Sequence, residues 1–361
     1  MVPIFICDGV RTPIDRYGGA LSGVRADDLA ALPIRTLLER NPGMQADGVQ
    51  EVVLGCTNQA GEDNRNIARM SLLLAGLPVT VPGMTVNRLC ASGLEAVAAI
   101  ARAIGSGDIE LGIAGGIESM SRAPYVMGKS DVPFSRHAKI EDSTMGWRFV
   151  NPAMAALYGV DPMPRTAENI ATQYGISRKD QDAFAYRSQE RTKAAQVRGF
   201  HRREIVPVPV SAAGKTGGTR LIDTDENPRP ATTPADLERL AALFGSGATV
   251  TAGSSSGIND GAAALIQPSH TIKNGRRYRY YETHSDDRDE DRHAGKGATG
   301  WRCRHSRSKP GSGRSLSRHS RIGRRSRQRR SRRAGMARRS TDCLAGRPKP
   351  TSAIGSPVSS A

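Results

Sequence analysis

Short apolar runs alternate with amphipathic stretches through the first 120 residues of the chain. The runs at 51–56 and 109–119 are largely apolar, which is typical of strands buried on both faces of a sheet. Residues 65–76 and 94–107 instead place apolar side chains at helical spacing, and each of these stretches closes on glycine. Because strands that alternate with helices favour parallel pairing, the pattern predicts a layered α/β fold with a parallel-rich sheet and covering helices.

The composition of the chain changes between about residues 121 and 245, where Pro, Arg and polar residues become more frequent. One helix is predicted there, over 177–199, with Ser177 as its N-cap. We therefore expect an inserted loop domain over 121–245. It would be flanked by the two parts of a sheet domain, at 1–120 and 246–267.

The segment 249–266 is rich in Gly, Ala and Ser, and it predicts a loop followed by the start of a helix. Small residues permit close backbone approach to a bound ligand, as at many phosphate sites. The segment matches neither a GxGxxG nor a P-loop pattern, so a plain turn is the alternative interpretation.

Charge is divided unevenly along the chain. The 361 residues include 52 Lys and Arg against 35 Asp and Glu, a formal net charge of +17. Residues 1–267 carry 27 basic against 28 acidic side chains, whereas residues 268–361 carry 25 against 7. The basic excess, which is typical of nucleic-acid binding, therefore lies entirely in the last quarter of the chain.

The basic segment 268–361 contains only seven Val, Ile, Leu, Met or Phe residues. Because so little apolar surface cannot offset the entropy of ordering a chain, we expect this segment to be disordered. One hypothesis is an Arg/Ser-rich arm that binds nucleic acid through phosphate contacts. The other is a frameshift near residue 267, since GC-rich coding DNA translated off-frame yields mixtures of Arg, Ser, Gly, Pro and Ala. We favour the frameshift, because aromatic residues for base stacking are few.

The N-terminal sequence and the cysteines bear on the cellular compartment. MVPIFICDGVRTP lacks the basic and apolar regions of a signal peptide, and no run of about eighteen apolar residues predicts a membrane span. The five cysteines are odd in number and scattered, without a CxxC pair. This pattern argues against a disulfide framework and a zinc site, so we expect a cytoplasmic protein in a reducing compartment.

One cysteine occupies a distinctive position. Cys90 separates a short extended run, 83–89, from the helical stretch that follows it. A thiol beside a helix N-terminus meets unpaired N–H groups and the helix dipole, which favour a nucleophilic thiolate. A buried structural cysteine is the alternative, because free cysteines commonly serve as small core residues. The pattern alone leaves both interpretations open.

Five ordered blocks of the sequence resemble the thiolase family, and together they span about residues 2–267. The blocks are VNRLCASGLEA, AGGIESMSRAPYVM, TAENIA, SRKDQDAFAYRSQ and VTAGSSSGINDGAAALI. Further blocks, such as NQAGEDNRNIARMSLLLAGLP, are most similar to the 3-oxoadipyl-CoA thiolase branch. The resemblance implies the thiolase fold, in which a second sheet domain follows the first. It also implies an acyltransferase that uses coenzyme A as co-substrate and needs no metal or redox cofactor.

The resemblance assigns roles to residues by position. Cys90 matches the acyl-accepting nucleophile of the family, which favours the catalytic interpretation of this thiol. The residues that match coenzyme A contacts are Arg229 for the nucleotide, Ser256 and Gly257 for the pantetheine loop, and Met163 with 166–169 for the pantetheine tunnel. A solvated arginine and simple helix packing are the alternatives for Arg229 and Met163.

The implied reaction is a ping-pong acyl transfer. Cys90 would take the acyl group of 3-oxoadipyl-CoA and release acetyl-CoA, after which coenzyme A would remove the acyl group as succinyl-CoA. Residues 268–361 do not contain the NEAF block, GHP histidine or CxG cysteine of the family's second domain, and Cys303 and Cys343 lack that motif. Because the nucleophilic cysteine needs a base, we expect impaired activity, with a catalytically dead remnant as the alternative. The resemblance further implies a dimer-based homo-oligomer with no membrane partner.

Overall fold

The computed structural model describes residues 4–130, 132–211, 218–269, 271–273 and 276–278. Most of the segment 268–361, for which disorder is predicted, therefore lies outside the described residues. The strands in chain order are β1 (Asp8–Arg11), β2 (Asp15–Arg16), β3 (Glu51–Gly55), β4 (Gly83–Val86), β5 (Leu111–Ser119), β6 (Tyr125–Met127), β7 (Ile140–Asp142), β8 (Val208–Ser211), β9 (Thr219–Ile222), β10 (Asn259–Pro268), β11 (Thr271–Lys273) and β12 (Arg276–Tyr278). The α-helices are α1 (Ala26–Arg40), α2 (Ile67–Leu74), α3 (Ser92–Ser106), α4 (Pro152–Tyr158), α5 (Met163–Tyr174), α6 (Arg178–Val197) and α7 (Pro234–Glu238).

A six-stranded sheet forms the centre of the structure, with strand order β1–β10–β5–β3–β4 and with β2 beside β10. Strand β3 pairs in parallel with β4 and β5, as the alternation of strands and helices predicts. Strand β10 pairs antiparallel with β1, β2 and β5, so the sheet is mixed. Strands far apart in sequence thus meet side by side, with Asp8 opposite Ile266.

The predicted helix start within 249–266 is wrong. Residues Asn259–Pro268 form β10, which is paired along both of its edges. Alanine is the best helix former, but intrinsic propensity is a weak preference, and it is overridden where a segment fills the gap between two strands. The small residues of β10 let it pack closely beside β5. A Cβ at Gly115 of β5 would lie only 2.9 Å from Cα of Ala264 in β10.

Helices cover both faces of the main sheet. On one face, α1 and α2 bury apolar side chains against Val52 and Leu54 of β3. On the other face, α3 packs Ile100 and Ile104 against Val53. Consecutive residues of β3 are therefore buried on opposite faces, which explains why this strand is apolar throughout. The predicted layered α/β fold with covering helices is confirmed.

Helix α3 lies in the one described stretch that is long and apolar enough, by length and composition, to cross a membrane. This stretch, Leu89–Ser106, has a mean hydropathy of 1.3, although the sequence pattern predicts no membrane span. A core helix passes the same test, and α3 packs on the sheet through Ala96, Ile100 and Ile104. Packing against the sheet accounts for these three residues, while only 22% of the stretch is buried and Leu89 and Leu94 remain exposed.

The segment between β5 and β10 contains α4–α7 and two small hairpin sheets, β6–β7 and β8–β9. The helix predicted over 177–199 is α6, and Ser177 caps it as predicted, because its Oγ accepts a hydrogen bond from the N–H of Asp180 at 3.1 Å. Arg11 of β1 fastens the segment to the sheet through two bonds to Asp225, at 2.6 and 2.9 Å. That the segment 121–245 is a separate domain stays a prediction.

Two carboxyl groups meet where β2 contacts the chain that follows β9. Asp15 is fully buried, and its Oδ2 accepts a hydrogen bond from the N–H of Leu21. A Cβ at Gly19 would lie 2.7 Å from Oδ1 of Asp15 and would also touch Oε2 of Glu226, so the two carboxyl groups are neighbours. Burial, together with the Glu226 carboxyl, raises the pKa of Asp15 to about 6, while the hydrogen bond to Asp15 lowers the pKa of Glu226. Below its pKa of about 6, Asp15 therefore carries a proton that faces the Glu226 carboxylate.

We expect this proton to make stability depend on pH. The folded pKa of Asp15 exceeds the ordinary aspartate value of 3.8, so its contribution to stability is complete below about pH 4 and is lost as pH rises through about 6. The loss amounts to at most about 3 kcal/mol, reduced by the opposite shift at Glu226. The Asp15→Asn amide donates to Glu226 without titrating. As the pH rises from about 4.5 to about 7.5, the free energy of unfolding of the Asp15→Asn variant should therefore increase relative to that of the wild type.

Urea unfolding at both ends of this pH range measures the difference. Asp47→Asn, which changes an exposed carboxylate, serves as the control and should parallel the wild type. If Asp15→Asn also parallels the wild type at every pH, the shared proton does not exist.

Candidate active site

The candidate nucleophile lies in the connection between β4 and α3. Strand β4 ends at Val86, and α3 begins at Ser92 with Ala91 as its N-cap residue. Cys90 directly precedes this N-cap and is exposed. The predicted position at the start of a helix is confirmed, and the exposure of the thiol argues against the alternative of a buried structural cysteine.

The N-terminus of α3 is open beside this thiol. Ala91 has no side chain that could accept a hydrogen bond from the first helical N–H groups. Glu95 in the first turn is ion-paired with Arg88 at 3.2 Å and with Arg102. An uncapped helix start, with its partial positive charge, favours an anion at the Cys90 sulfur and suits a thiol that must react as a thiolate.

Two glycines let α3 begin directly on the sheet. A Cβ at Gly55, the last residue of β3, would lie 2.6 Å from the nitrogen of Gly93. A Cβ at Gly116 of β5 would lie 3.1 Å from the carbonyl oxygen of Gly55. The first turn of α3 therefore rests on backbone rather than on side chains. We did not single out these glycines from the sequence, although a glycine inside a buried strand signals close approach of another backbone.

A half-buried carboxylate supports the loop that lies next to the Cys90 turn. Glu118, near the end of β5, accepts hydrogen bonds from the N–H groups of Thr57 at 2.9 Å and Asn58 at 3.0 Å. Burial raises the pKa of Glu118 despite these bonds. Burial likewise raises the pKa of the neighbouring Cys56 thiol, with Glu118 and Asp63 adding to the shift, so Cys56 stays protonated. Of the two cysteines, only Cys90 is exposed to a substrate.

The predicted coenzyme A residues fall into two places. Asn227 lies against Gly257, with its Oδ1 2.6 Å from the position of a Cβ there, so the Ser256–Gly257 loop adjoins the segment that carries Arg229. Arg229 is exposed and donates its backbone N–H to Gln189 of α6 at 2.8 Å. Met163 begins α5 and is also exposed. In the described part of the chain, no hydrogen bond or ion pair joins these residues to the Cys90 turn.

Glu168, which lies within the block that the resemblance assigns to the pantetheine tunnel, connects α5 to the chain that precedes the Ser256–Gly257 loop. Glu168 accepts hydrogen bonds from the N–H groups of Thr249 at 2.9 Å and Val250 at 2.8 Å. These bonds lower the pKa of Glu168. The block 166–169 therefore also has a structural task, because it holds the chain that leads into residues 252–257.

Comparison with known proteins identifies this arrangement. Residues 4–270 match the family profile described as "Thiolase, N-terminal domain". The chain belongs to the thiolase family. Over 263 residues it is 62% identical to the beta-ketoadipyl-CoA thiolase of Pseudomonas aeruginosa, covering 73% of this chain and 65% of that protein. Over 262 residues it is 60% identical to the 3-oxoadipyl-CoA/3-oxo-5,6-dehydrosuberyl-CoA thiolase of Escherichia coli K12, covering 73% of this chain and 65% of that protein.

Solved structures show the same fold. The acetyl-CoA acetyltransferase of Bacillus anthracis matches with a TM-score of 0.66 and 34% identity, covering 74% of this chain and 66% of that chain. Human mitochondrial 3-ketoacyl-CoA thiolase matches with a TM-score of 0.64 and 33% identity, covering 73% of this chain and 65% of that chain. The thiolase fold is confirmed for the matched part. The match spans 65% of the length of each of the two bacterial thiolases named above.

The glycine at the end of β3 should be indispensable. We expect Gly55→Ala to lower the free energy of unfolding by about 3 kcal/mol, because the added methyl group overlaps backbone atoms that cannot move independently. Gly93→Ala is the matched control on the facing helix, since a Cβ there has nothing within 4 Å. Its free energy of unfolding should stay within about 0.5 kcal/mol of wild type. Urea titrations compare the two variants, and equal stability would contradict the close approach.

Proposed function

We propose that the protein carries out thiolase-type acyl transfer with Cys90 as the nucleophile. The substrate would be 3-oxoadipyl-CoA, and the products succinyl-CoA and acetyl-CoA. The observation that carries the proposal is an exposed thiol at the uncapped start of α3, in a chain of the thiolase family. The substrate follows from the names of two bacterial relatives that are 62% and 60% identical.

The chemistry proceeds in two transfers. The Cys90 thiolate attacks the 3-oxo carbon of the acyl-CoA, and the bond between C2 and C3 breaks. The electron pair of that bond goes to C2, which takes up a proton and leaves as acetyl-CoA. The thiol of coenzyme A then gives up its proton and attacks the Cys90 thioester, which releases succinyl-CoA and restores the thiolate.

Coenzyme A would bind across the loops after β9 and before β10. In this proposal Arg229 meets the phosphates of the nucleotide with its exposed guanidinium, a group suited to phosphate oxygens. Ser256 and Gly257 would lie beside the pantetheine arm, where a small loop permits close approach. Met163 would contribute apolar surface to the same arm. We further propose a dimer-based assembly and a cytoplasmic location.

We expect both transfers to be impaired, and the second more than the first. The family uses a histidine and a second cysteine in its second domain as bases, and neither motif occurs in residues 268–361. Attack by Cys90 is assisted locally by the helix dipole, whereas deprotonation of coenzyme A has no such local support. The alternative proposal is that the chain is a thiolase remnant that has lost all catalytic activity. Nucleic-acid binding by 268–361 stays a prediction about residues outside the described structure.

Acyl labelling tests the proposal directly. We expect acetyl-CoA to transfer its acetyl group to Cys90, detected on the Cys90 peptide by mass spectrometry, and coenzyme A to remove it slowly. Cys90→Ser should abolish the label, whereas Cys7→Ser, which changes another exposed cysteine, should retain it. Thiolysis of 3-oxoadipyl-CoA then measures complete turnover. A wild-type chain that never acquires the label would refute the assignment of Cys90.

A further inference from the structure

The residue before Cys90 adopts a backbone conformation that is unfavourable for it. Leu89 has φ = +50°, in the left-handed region that side chains with a Cβ rarely occupy. Its side chain is 68% exposed, so burial of the leucine does not stabilise this conformation. Strained residues of this kind persist only where surrounding contacts determine the backbone, and they occur frequently at active sites.

Asn87 fixes Leu89 from the N-terminal side. Its Oδ1 accepts the N–H of Leu89 at 3.0 Å, and its Nδ2 donates to the carbonyl oxygen of Thr57 at 3.0 Å. The hydroxyl of Thr57 donates in return to the carbonyl oxygen of Leu89 at 3.3 Å. One side chain thereby joins the turn to the loop that Glu118 supports.

Ser92 fixes Leu89 from the C-terminal side. Its Oγ donates to the carbonyl oxygen of Leu89 at 2.6 Å and accepts the N–H of Arg88 at 2.8 Å. The backbone N–H of Ser92 reaches the same Leu89 carbonyl at 2.9 Å. Ser92 is almost fully buried, so this first residue of α3 is a rigid anchor.

We propose that Asn87 and Ser92 are positioning residues for the nucleophile. They hold Leu89 in its left-handed conformation, and this conformation turns the chain so that Cys90 lies exposed at the open N-terminus of α3. Without them, Leu89 relaxes to an ordinary conformation and the sulfur leaves the field of the helix. The inference deepens the proposed function, because it rests on Cys90 being the nucleophile.

Alkylation of the full-length chain by iodoacetamide tests this role. The rate at Cys90 is divided by the rate at exposed Cys7 in the same sample, measured on peptides by mass spectrometry. We expect Asn87→Ala and Ser92→Ala to lower this ratio about tenfold, because the thiolate loses its helix-dipole stabilisation. Ser106→Ala removes a hydroxyl that also bonds to backbone carbonyls, at the other end of α3, and should leave the ratio within about twofold.

Conservative variants separate positioning from general loss of structure. Thr57→Ser keeps the hydroxyl that donates to Leu89 and should react like wild type, whereas Thr57→Val should be slower. Leu89→Gly should restore most of the rate in the Asn87→Ala background, because glycine adopts φ near +50° without a Cβ clash. A merely destabilised variant would not be rescued by glycine.

The result overturns the inference if Asn87→Ala and Ser92→Ala react like wild type, or if Ser106→Ala is slowed equally. Alkylation requires no thiolase activity. If the alkylation ratios follow expectation and acetyl-CoA leaves no label on Cys90, the positioning role stands and the proposed function fails. If the label forms and the ratios do not change, the positioning role fails and the proposed function stands.

Discussion

The close approach of α3 to the main sheet is the constraint on which the candidate site depends. Gly55 and Gly116 leave room for the first turn of the helix to rest on the backbone of β3 and β5. The helix start therefore has a fixed height above the sheet, and the short connection from β4 must reach it within five residues. A tight, strained turn at Leu89 is the consequence, and the exposed Cys90 follows directly from that turn.

The same constraint separates two cysteines into different chemical roles. Cys56 follows β3 directly, on the core side, where burial and two nearby carboxylates raise its pKa. Cys90 lies on the open side of the turn, where the uncapped start of α3 favours negative charge. Glu118 contributes to both environments, because it adds to the shift at Cys56 and holds the Thr57 loop that bonds to Leu89. The position of each cysteine relative to the turn therefore determines which thiol is exposed.

Features encoded over a few neighbouring residues were predictable, and features that depend on distant partners were not. The apolar run at 51–56 indicates a buried strand by itself, and the change from extended to helical pattern locates Cys90. The strand Asn259–Pro268 could not be recognised, because its small residues make sense only beside β5. Glu118 was missed for the same reason, since its partners lie about sixty residues earlier in the chain. Family resemblance supplied the candidate roles of the remaining site residues.

The two halves of the candidate site are held by different sets of interactions. The Cys90 turn depends on β3, β4, β5 and α3, which are close in sequence and share one apolar cluster. The loops proposed for coenzyme A depend instead on long-range contacts, chiefly Arg11 with Asp225 and the pairing of β1 and β2 with β10. The neighbouring carboxyl groups of Asp15 and Glu226 belong to this second set. A substitution in the second set would therefore act on the loops proposed for coenzyme A, whereas a substitution among Gly55, Asn87 and Ser92 would act on the Cys90 turn.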